Sequence, residues 1–265
     1  MKRLMVLLCV LILVCGITGT ATGTSIYLPG VASGSGWSDV EQATSSSYCW
    51  VATASNMLAY SGWNGGFANS AAIYAESIGH WTNMNGNPYY DIDWWFTGTN
   101  LKAGDAEWPQ LTSDGGGYYS AGDFSMGFAE DTNGLAPVDV KDWLKWDVAN
   151  QRAFTMLLGN TSGGTHWLTG WGYESVAGAV TGVYFTDSFD GLSQLLYSPL
   201  NCSSGDCYLN VYTSYYMISM ESLEYNSDGV PPNGGGNGTV PEPTSTLLLL
   251  GIGLFGLSVG YRKRR

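Results

Sequence analysis

Both ends of the chain carry an apolar run beside basic residues, so only the middle is available to fold as a globular domain. Lys2 and Arg3 precede the apolar run 4–14, and small residues follow up to Gly23, as in a secretory signal peptide. A second apolar run, 247–259, is just long enough to span a membrane and precedes a basic end. Four segments are therefore predicted: a signal peptide (1–23), one domain (24–226), a flexible Gly- and Pro-rich linker (227–239) and a C-terminal segment with a transmembrane helix (240–265).

The basic residues are concentrated at those two ends. Of the ten Lys and Arg, two lie at positions 2–3 and four at positions 262–265, which leaves four in between. The formal net charge of the whole chain is −12, so the predicted domain is more acidic than that total indicates. Binding to nucleic acid requires clustered basic side chains that neutralise phosphates. We therefore predict no nucleic-acid partner.

The cysteines divide into three groups. Cys9 and Cys15 belong to the predicted signal peptide, and export places the remaining thiols where disulfides form. Cys202 and Cys207 frame the turn-like sequence Ser-Ser-Gly-Asp, which predicts a disulfide that closes a short loop. Cys49 is left over, and an odd cysteine in an exported protein indicates either a reactive thiol or an intermolecular bridge.

Cys49 opens a stretch with helical spacing that a glycine, Gly62, ends. At a helix N-terminus a thiol faces unpaired backbone N–H groups and the positive end of the helix dipole, and both favour the nucleophilic thiolate. Gln42, seven residues upstream, is a candidate amide donor to an oxyanion. The alternative is that Cys49 is simply a small buried hydrophobic residue.

A candidate base and its carboxylate partner lie on two later strands. Residues 164–173 alternate like a strand that carries His166, and residues 182–188 read as a returning strand after a turn near Gly178. Antiparallel pairing then places His166 opposite residue 189 or 190, with Asp187 as a diagonal neighbour. A carboxylate beside an imidazole orients the ring and stabilises its charged form. The other histidine, His80, follows a predicted helix end and is the weaker candidate.

Further elements are predicted on either side of a long irregular region. Helices are expected at 69–78 and 139–150, and strands at 153–158 and 211–223. Residues 81–135 are aromatic and Gly-rich without a clear period, which is typical of a binding surface, here the wall of a substrate groove.

The acidic residues of that region do not predict a metal site. Asp91 and Asp93 lack the closing Glu of a calcium loop, so we interpret them as solvated turn carboxylates. No cofactor or metal is predicted. Trp143 and Trp146, in the later helix, are expected in the core rather than at a ligand site.

Three blocks of sequence resemble the immunoglobulin-degrading cysteine peptidase family of streptococci: 49–58, 166–173 and 183–188. The resemblance implies a papain-like α+β fold, with an N-terminal nucleophile helix and an antiparallel sheet that carries the histidine and the aspartate. It assigns Cys49 as nucleophile, His166 as base and Asp187 as the orienting carboxylate. The chain departs from the family in having Gln42 in place of an upstream lysine, and Asp190 three residues after Asp187 where the family has an aspartate two residues later.

The C-terminus resembles a different, short signal. Pro241-Glu242-Pro243, the apolar run and the basic end follow the order of the PEP-CTERM sorting signal of Gram-negative bacteria that make extracellular polysaccharide. The resemblance implies cleavage by an exosortase, with the secretion machinery as a further partner. It also implies a transient anchor in the inner membrane and a final location at the cell surface or in the extracellular matrix.

These features together predict a secreted cysteine endopeptidase that hydrolyses peptide bonds in a protein or peptide substrate. One alternative keeps the same residues but transfers the acyl group to an amine, as transglutaminases do. The other is a non-catalytic surface- or matrix-binding module that uses residues 81–135.

Overall fold

A computed structural model describes most of the predicted domain. The described residues are 23–32, 36–43, 46–123, 128–131, 137–160, 162–203, 206–209, 215–224 and 226. The predicted linker and sorting signal lie outside them, as does the predicted signal peptide apart from Gly23. Within the described residues, no helix is both long and apolar enough to cross a bilayer.

Helices dominate the first half of the described chain and strands dominate the second half. The helices are α1 (Cys49–Tyr60), α2 (Ser70–Ile78), α3 (Pro88–Thr97) and α4 (Pro137–Ala149). The strands are β1 (Thr24–Tyr27), β2 (Phe128–Asp131), β3 (Ala153–Asn160), β4 (Thr165–Val176), β5 (Ala179–Thr186), β6 (Leu196–Ser203), β7 (Asp206–Leu209) and β8 (Tyr215–Leu223).

All the strands join one antiparallel sheet, in the order β1-β4-β3-β8-β7-β6-β5, with β2 added to β8. Because β4 also pairs with β5, the strands β3 to β8 form a closed ring. Closure removes free sheet edges and encloses a core. One apolar cluster combines side chains from these strands with α4, and it includes Phe154, Leu168, Phe185, Leu209 and Met220.

The sheet corrects the predicted fold class. Eight strands in one antiparallel sheet outnumber the four helices among the described residues, so the chain is mainly antiparallel β. The prediction of a papain-like α+β fold is therefore wrong. Its basis was three short blocks of similar sequence, and such blocks fix local residue types without fixing how the rest of the chain is connected.

A second apolar core lies between the sheet and the helices. Trp50 from α1 and Trp94, Trp95 and Phe96 from α3 are fully buried there. Helix α3 begins after Asn87, whose side chain accepts from the Tyr89 backbone N–H, with Pro88 at its first position. This helix falls in the region that the sequence analysis interpreted as irregular.

Three residues of α3 and α4 lie in environments that differ from those predicted from the sequence. Asp91 is fully buried and accepts a 2.8 Å bond from Trp81 Nε1, and Asp93 is also buried, so neither is a solvated turn carboxylate. Burial raises the pKa of Asp91 to about 7, partly offset by its hydrogen bonds. Trp146 is 44% exposed, against the expectation of a core position, whereas Trp143 packs on the first core.

Two hairpins complete the frame. The β4–β5 turn places Ala177 and Gly178 at positive φ (51° and 83°), a two-residue turn that sets the register of the pair. Thr169 pairs with Thr186, and continuing that register places His166 opposite residue 189, as the sequence predicts. In the β6–β7 hairpin, Cys202 and Cys207 face each other and their sulfur atoms are bonded.

Candidate active site

Cys49 is the first residue of α1 and the free cysteine among the described residues. Its side chain is buried, with 7% of the residue exposed. The preceding residue, Tyr48, makes no side-chain capping hydrogen bond, so no such bond competes for the N–H groups of the first turn. Because Cys49 is the first residue of the helix, its side chain lies at the positive end of the helix dipole.

His166 and Asp187 meet across the β4–β5 pair. The Nε2 atom of His166 lies 2.7 Å from Oδ1 of Asp187. Only 3% of Asp187 is exposed to solvent. The backbone N–H of Phe189 donates to the same oxygen at 3.0 Å, which orients the carboxylate. The bond to Asp187 occupies Nε2, so Nδ1 is the ring nitrogen left for Cys49.

The charge of His166 is controlled by its two partners. Burial disfavours the imidazolium, but hydrogen bonds to Asp187 and to Cys49, together with their charges, outweigh it. The net effect raises the pKa of His166 to about 9. An imidazolium at neutral pH is the state that pairs with a thiolate.

Gln42 joins the site from the segment before α1. Its backbone N–H donates to the Ser188 carbonyl at 2.8 Å, next to Asp187 in the chain. Ser46 Oγ donates to Oε1 of the Gln42 side chain at 3.3 Å. With the amide oriented in this way, its NH₂ group is the end that can donate to a substrate oxygen.

These four residues line one cleft. Its volume is about 280 Å³, close to that of small ligand sites, and it opens to solvent. The structure thus brings together every catalytic residue that the sequence predicted. The remaining lining residues are Ser46, Ser47, Asn85, Leu158, Thr165, Phe189 and Tyr215.

The tryptophans that follow Cys49 and His166 anchor one wall of the cleft, through hydrogen bonds that the sequence did not predict. The indole of Trp50 donates to the Met84 carbonyl at 2.9 Å, and the indole of Trp167 donates to the Gly86 carbonyl at 3.0 Å. Asn85, between these two anchors, is the residue of the described part of 81–135 that lines the cleft. The recurrent Cys-Trp and His-Trp pairs were the only signal in the sequence.

The second histidine lies elsewhere. His80 Nδ1 contacts Ser113 Oγ at 2.8 Å, and its Nε2 contacts Glu76 at 3.3 Å. The ring also packs against Trp94. His80 does not line the cleft, and it links α2 to the loop around residue 113.

Comparison with known proteins finds a match to a motif at the C-terminus. No curated protein matches the chain significantly. Residues 239–265 match the PEP-CTERM protein-sorting motif, which indicates export and surface sorting in Gram-negative bacteria and implies processing by an exosortase. The chain therefore carries a PEP-CTERM sorting signal at its C-terminus.

Proposed function

We propose that this chain is an exported cysteine endopeptidase. The observation that carries the proposal is the 2.7 Å contact between His166 and Asp187 beside a free Cys49 at a helix N-terminus. A nucleophile, a base and a residue that orients the base make up the catalytic unit of thiol peptidases. An open cleft of about 280 Å³ gives a polypeptide access to the three residues.

The first half-reaction forms an acyl-enzyme. Cys49 Sγ attacks the carbonyl carbon of the peptide bond, and the thiol proton resides on His166. The NH₂ group of Gln42 and the backbone N–H of Cys49 stabilise the oxyanion of the tetrahedral intermediate. The C–N bond breaks when His166 gives its proton to the leaving amine, and Asp187 keeps the ring oriented throughout.

The second half-reaction releases the acid product. Water attacks the thioester carbon while His166 accepts one of its protons. The C–S bond then breaks, the carboxylic acid is released, and the thiolate of Cys49 is regenerated beside the protonated His166. If an amine attacks instead of water, the same residues transfer the acyl group, so the acceptor decides between hydrolysis and transglutaminase-like chemistry.

The sorting signal supports a reaction outside the cytoplasm. We propose that the C-terminal segment anchors the chain transiently in the inner membrane, with its basic end in the cytoplasm. After cleavage near the Pro-Glu-Pro motif, the domain acts on proteins or peptides at the cell surface or in the surrounding matrix.

Alkylation of Cys49 tests the proposal directly. The full chain, purified in detergent, is treated with iodoacetamide across pH, and the modified peptide is identified by mass spectrometry. A free thiol is half ionised at about pH 8.5 and reacts slowly at lower pH, whereas a thiolate–imidazolium pair predicts that alkylation persists there. His166→Ala should remove that low-pH reactivity.

Turnover provides the second criterion. Wild type should cleave an unfolded protein substrate, Cys49→Ser should not, and added amine should be incorporated only if the chain is an acyl transferase. An unreactive Cys49 in a folded chain would exclude the catalytic proposal.

A further inference from the structure

Two carboxylates on the segment that carries Gln42 accept hydrogen bonds from the loop that carries Asp187. Glu41 Oε2 accepts from the Gly191 backbone N–H at 3.0 Å. Asp39 Oδ2 accepts from the Gln194 backbone N–H at 3.3 Å. Both acceptors belong to segment 38–42, and both donors belong to loop 187–194.

Two further contacts join the same segment to the end of β5 and to the loop. Thr186 Oγ1, at the end of β5, donates to the Ser38 carbonyl at 3.1 Å. The Gln42 backbone N–H donates to the Ser188 carbonyl at 2.8 Å. Segment 38–42 has no regular secondary structure of its own, so these four bonds define its position beside the loop.

A third carboxylate, Asp190, approaches the first two. Asp39, Glu41 and Asp190 each have an oxygen within 4.8 Å of the others. Asp190 is held inside the loop, since it accepts from the Leu192 backbone N–H at 2.7 Å. Three carboxylates this close repel one another when ionised. Burial, and then the charges of Glu41, Asp190 and Asp187, raise the pKa of Asp39 to about 8, so the cluster retains a proton at neutral pH.

We propose that Asp39 and Glu41 are positioning residues that hold loop 187–194 against segment 38–42. They thereby fix the distance between the oxyanion donor Gln42 and the triad residue Asp187. The two functional residues come from parts of the chain about 145 positions apart, and no strand pairing joins them. This inference rests on the proposed function, because the roles of Gln42 and Asp187 are part of it.

Four variants test the positioning role. Glu41→Ala and Asp39→Ala remove the acceptors, whereas Glu41→Gln and Asp39→Asn keep an oxygen for the same backbone N–H groups. The alanine variants should lose about tenfold to a hundredfold in kcat with little change in KM, because displacing catalytic groups by about 1 Å has effects of that size. The conservative variants should keep most of the activity. Glu107→Ala, which alters an exposed carboxylate, is the matched control.

Amide hydrogen exchange supplies a readout that does not depend on turnover. Faster exchange at Gly191 and Gln194 is expected in Glu41→Ala and Asp39→Ala, with the far-UV spectrum unchanged. Unchanged exchange and kcat in both alanine variants would overturn the inference. So would equal losses in Glu41→Gln and Glu41→Ala, since the acceptor oxygen would then not be what matters.

Two further outcomes are distinguishable from these. If calcium restores EDTA-treated wild type but restores Asp39→Asn and Glu41→Gln only at higher concentration, the three carboxylates hold a cation, and the direct hydrogen-bond role is overturned. If wild type shows neither turnover nor alkylation of Cys49, the proposed function fails. In that case the exchange data still decide whether Asp39 and Glu41 hold the loop.

Discussion

The proposed role of Gln42 as an oxyanion donor can be measured directly through kcat. Its carbonyl oxygen lies 3.3 Å from Ser46 Oγ, and its side chain lines the cleft, where the NH₂ group can donate. We expect Gln42→Ala and the isosteric Gln42→Glu each to lower kcat about 100-fold, because removing one oxyanion donor has an effect of that order. Initial rates on a protein substrate measure the loss.

Alkylation of Cys49 is the control for these two variants. It should proceed as in wild type in Gln42→Ala, which adds no charge beside the Cys49–His166 pair, whereas the new carboxylate of Gln42→Glu should slow it by disfavouring the thiolate. A variant that keeps wild-type kcat would show that Gln42 does not stabilise the oxyanion.

His166 allows a second prediction at the level of one residue. The hydrogen bonds and charges of Asp187 and Cys49 raise its pKa to about 9 against the effect of burial. Asp187→Asn removes the carboxylate charge while burial remains, so the pKa of His166 should fall well below 9. NMR titration measures it readily, because the chain has only two histidines.

The other histidine serves as the internal control in that titration. His80 contacts Glu76 and Ser113, far along the chain from Asp187, and its curve should be the same in both proteins. An unchanged curve for His166 in Asp187→Asn would contradict the assigned partner.

Rare residue types explain why the clustering of Cys49, His166 and Asp187 could be predicted from sequence. One cysteine without a partner and two histidines leave few combinations, and alternation along 164–173 and 182–188 indicates which side chains meet. Asn85, Leu158 and Tyr215 also line the cleft, yet nothing in their types or spacing marks them. Their positions depend on long-range packing, to which a single sequence gives no access.

At the level of elements, the loop 82–87 depends on a glycine. A Cβ atom on Gly86 would lie 2.6 Å from Trp50 Cε2 and 2.9 Å from Pro109 Cγ, both in rigid rings. Gly86→Ala should therefore destabilise the fold by about 1–3 kcal/mol, the usual range for overpacking, and lower kcat by displacing Asn85. Urea unfolding and initial rates measure the two effects.

Gly122→Ala is the matched control, since its nearest neighbour would be at 3.5 Å. It should not destabilise the fold, because Gly122 has helical backbone angles, where alanine is neutral or stabilising by up to about 1 kcal/mol. If Gly86→Ala were equally neutral, the loop would be less tightly anchored by the two indoles than their hydrogen bonds indicate.

The helices illustrate which elements a sequence can predict. Helix α2 follows Asn69, whose side chain accepts from the Ala72 backbone N–H at 3.0 Å, and such a cap is readable in advance. Helix α3 was missed because its residues 91–96 are all buried, so no side of the helix faces solvent. The alternation of apolar and exposed polar positions that marks a surface helix is therefore absent. Its signals were Pro88 at the start and Gly98 (φ 74°) at the end.

The whole molecule combines a closed strand ring with a helical layer, and the cleft lies where α1 meets β4. Closure of the ring requires β5 to β8 to pair in sequence and β4 to pair on both sides. Those pairings are non-local, and hydrophobic alternation predicts strands without predicting their neighbours. The predicted fold class therefore failed, although several of its elements were located.

The free energy of unfolding of the whole molecule should fall as pH rises from about 5 to 9. Burial, as the largest cause, raises the pKa of Asp39 and Asp147 to about 8 and that of Asp91 to about 7. A carboxyl whose pKa is higher folded than unfolded binds more protons in the folded state, so stability falls as pH rises from about 4 to its folded pKa. His166, raised to about 9, adds stability that is complete below 6.5 and lost as pH rises through 9.

These effects have the same sign, so the free energy of unfolding should be greatest near pH 4–5 and decline toward pH 9. Urea denaturation at pH 5, 7 and 9 measures the decline as a falling midpoint. Asp147→Asn, which cannot ionise at this fully buried position, should make the decline shallower between pH 5 and 8. A midpoint that rises with pH, or an equally steep decline in Asp147→Asn, would show that these buried carboxyl groups do not govern the pH dependence.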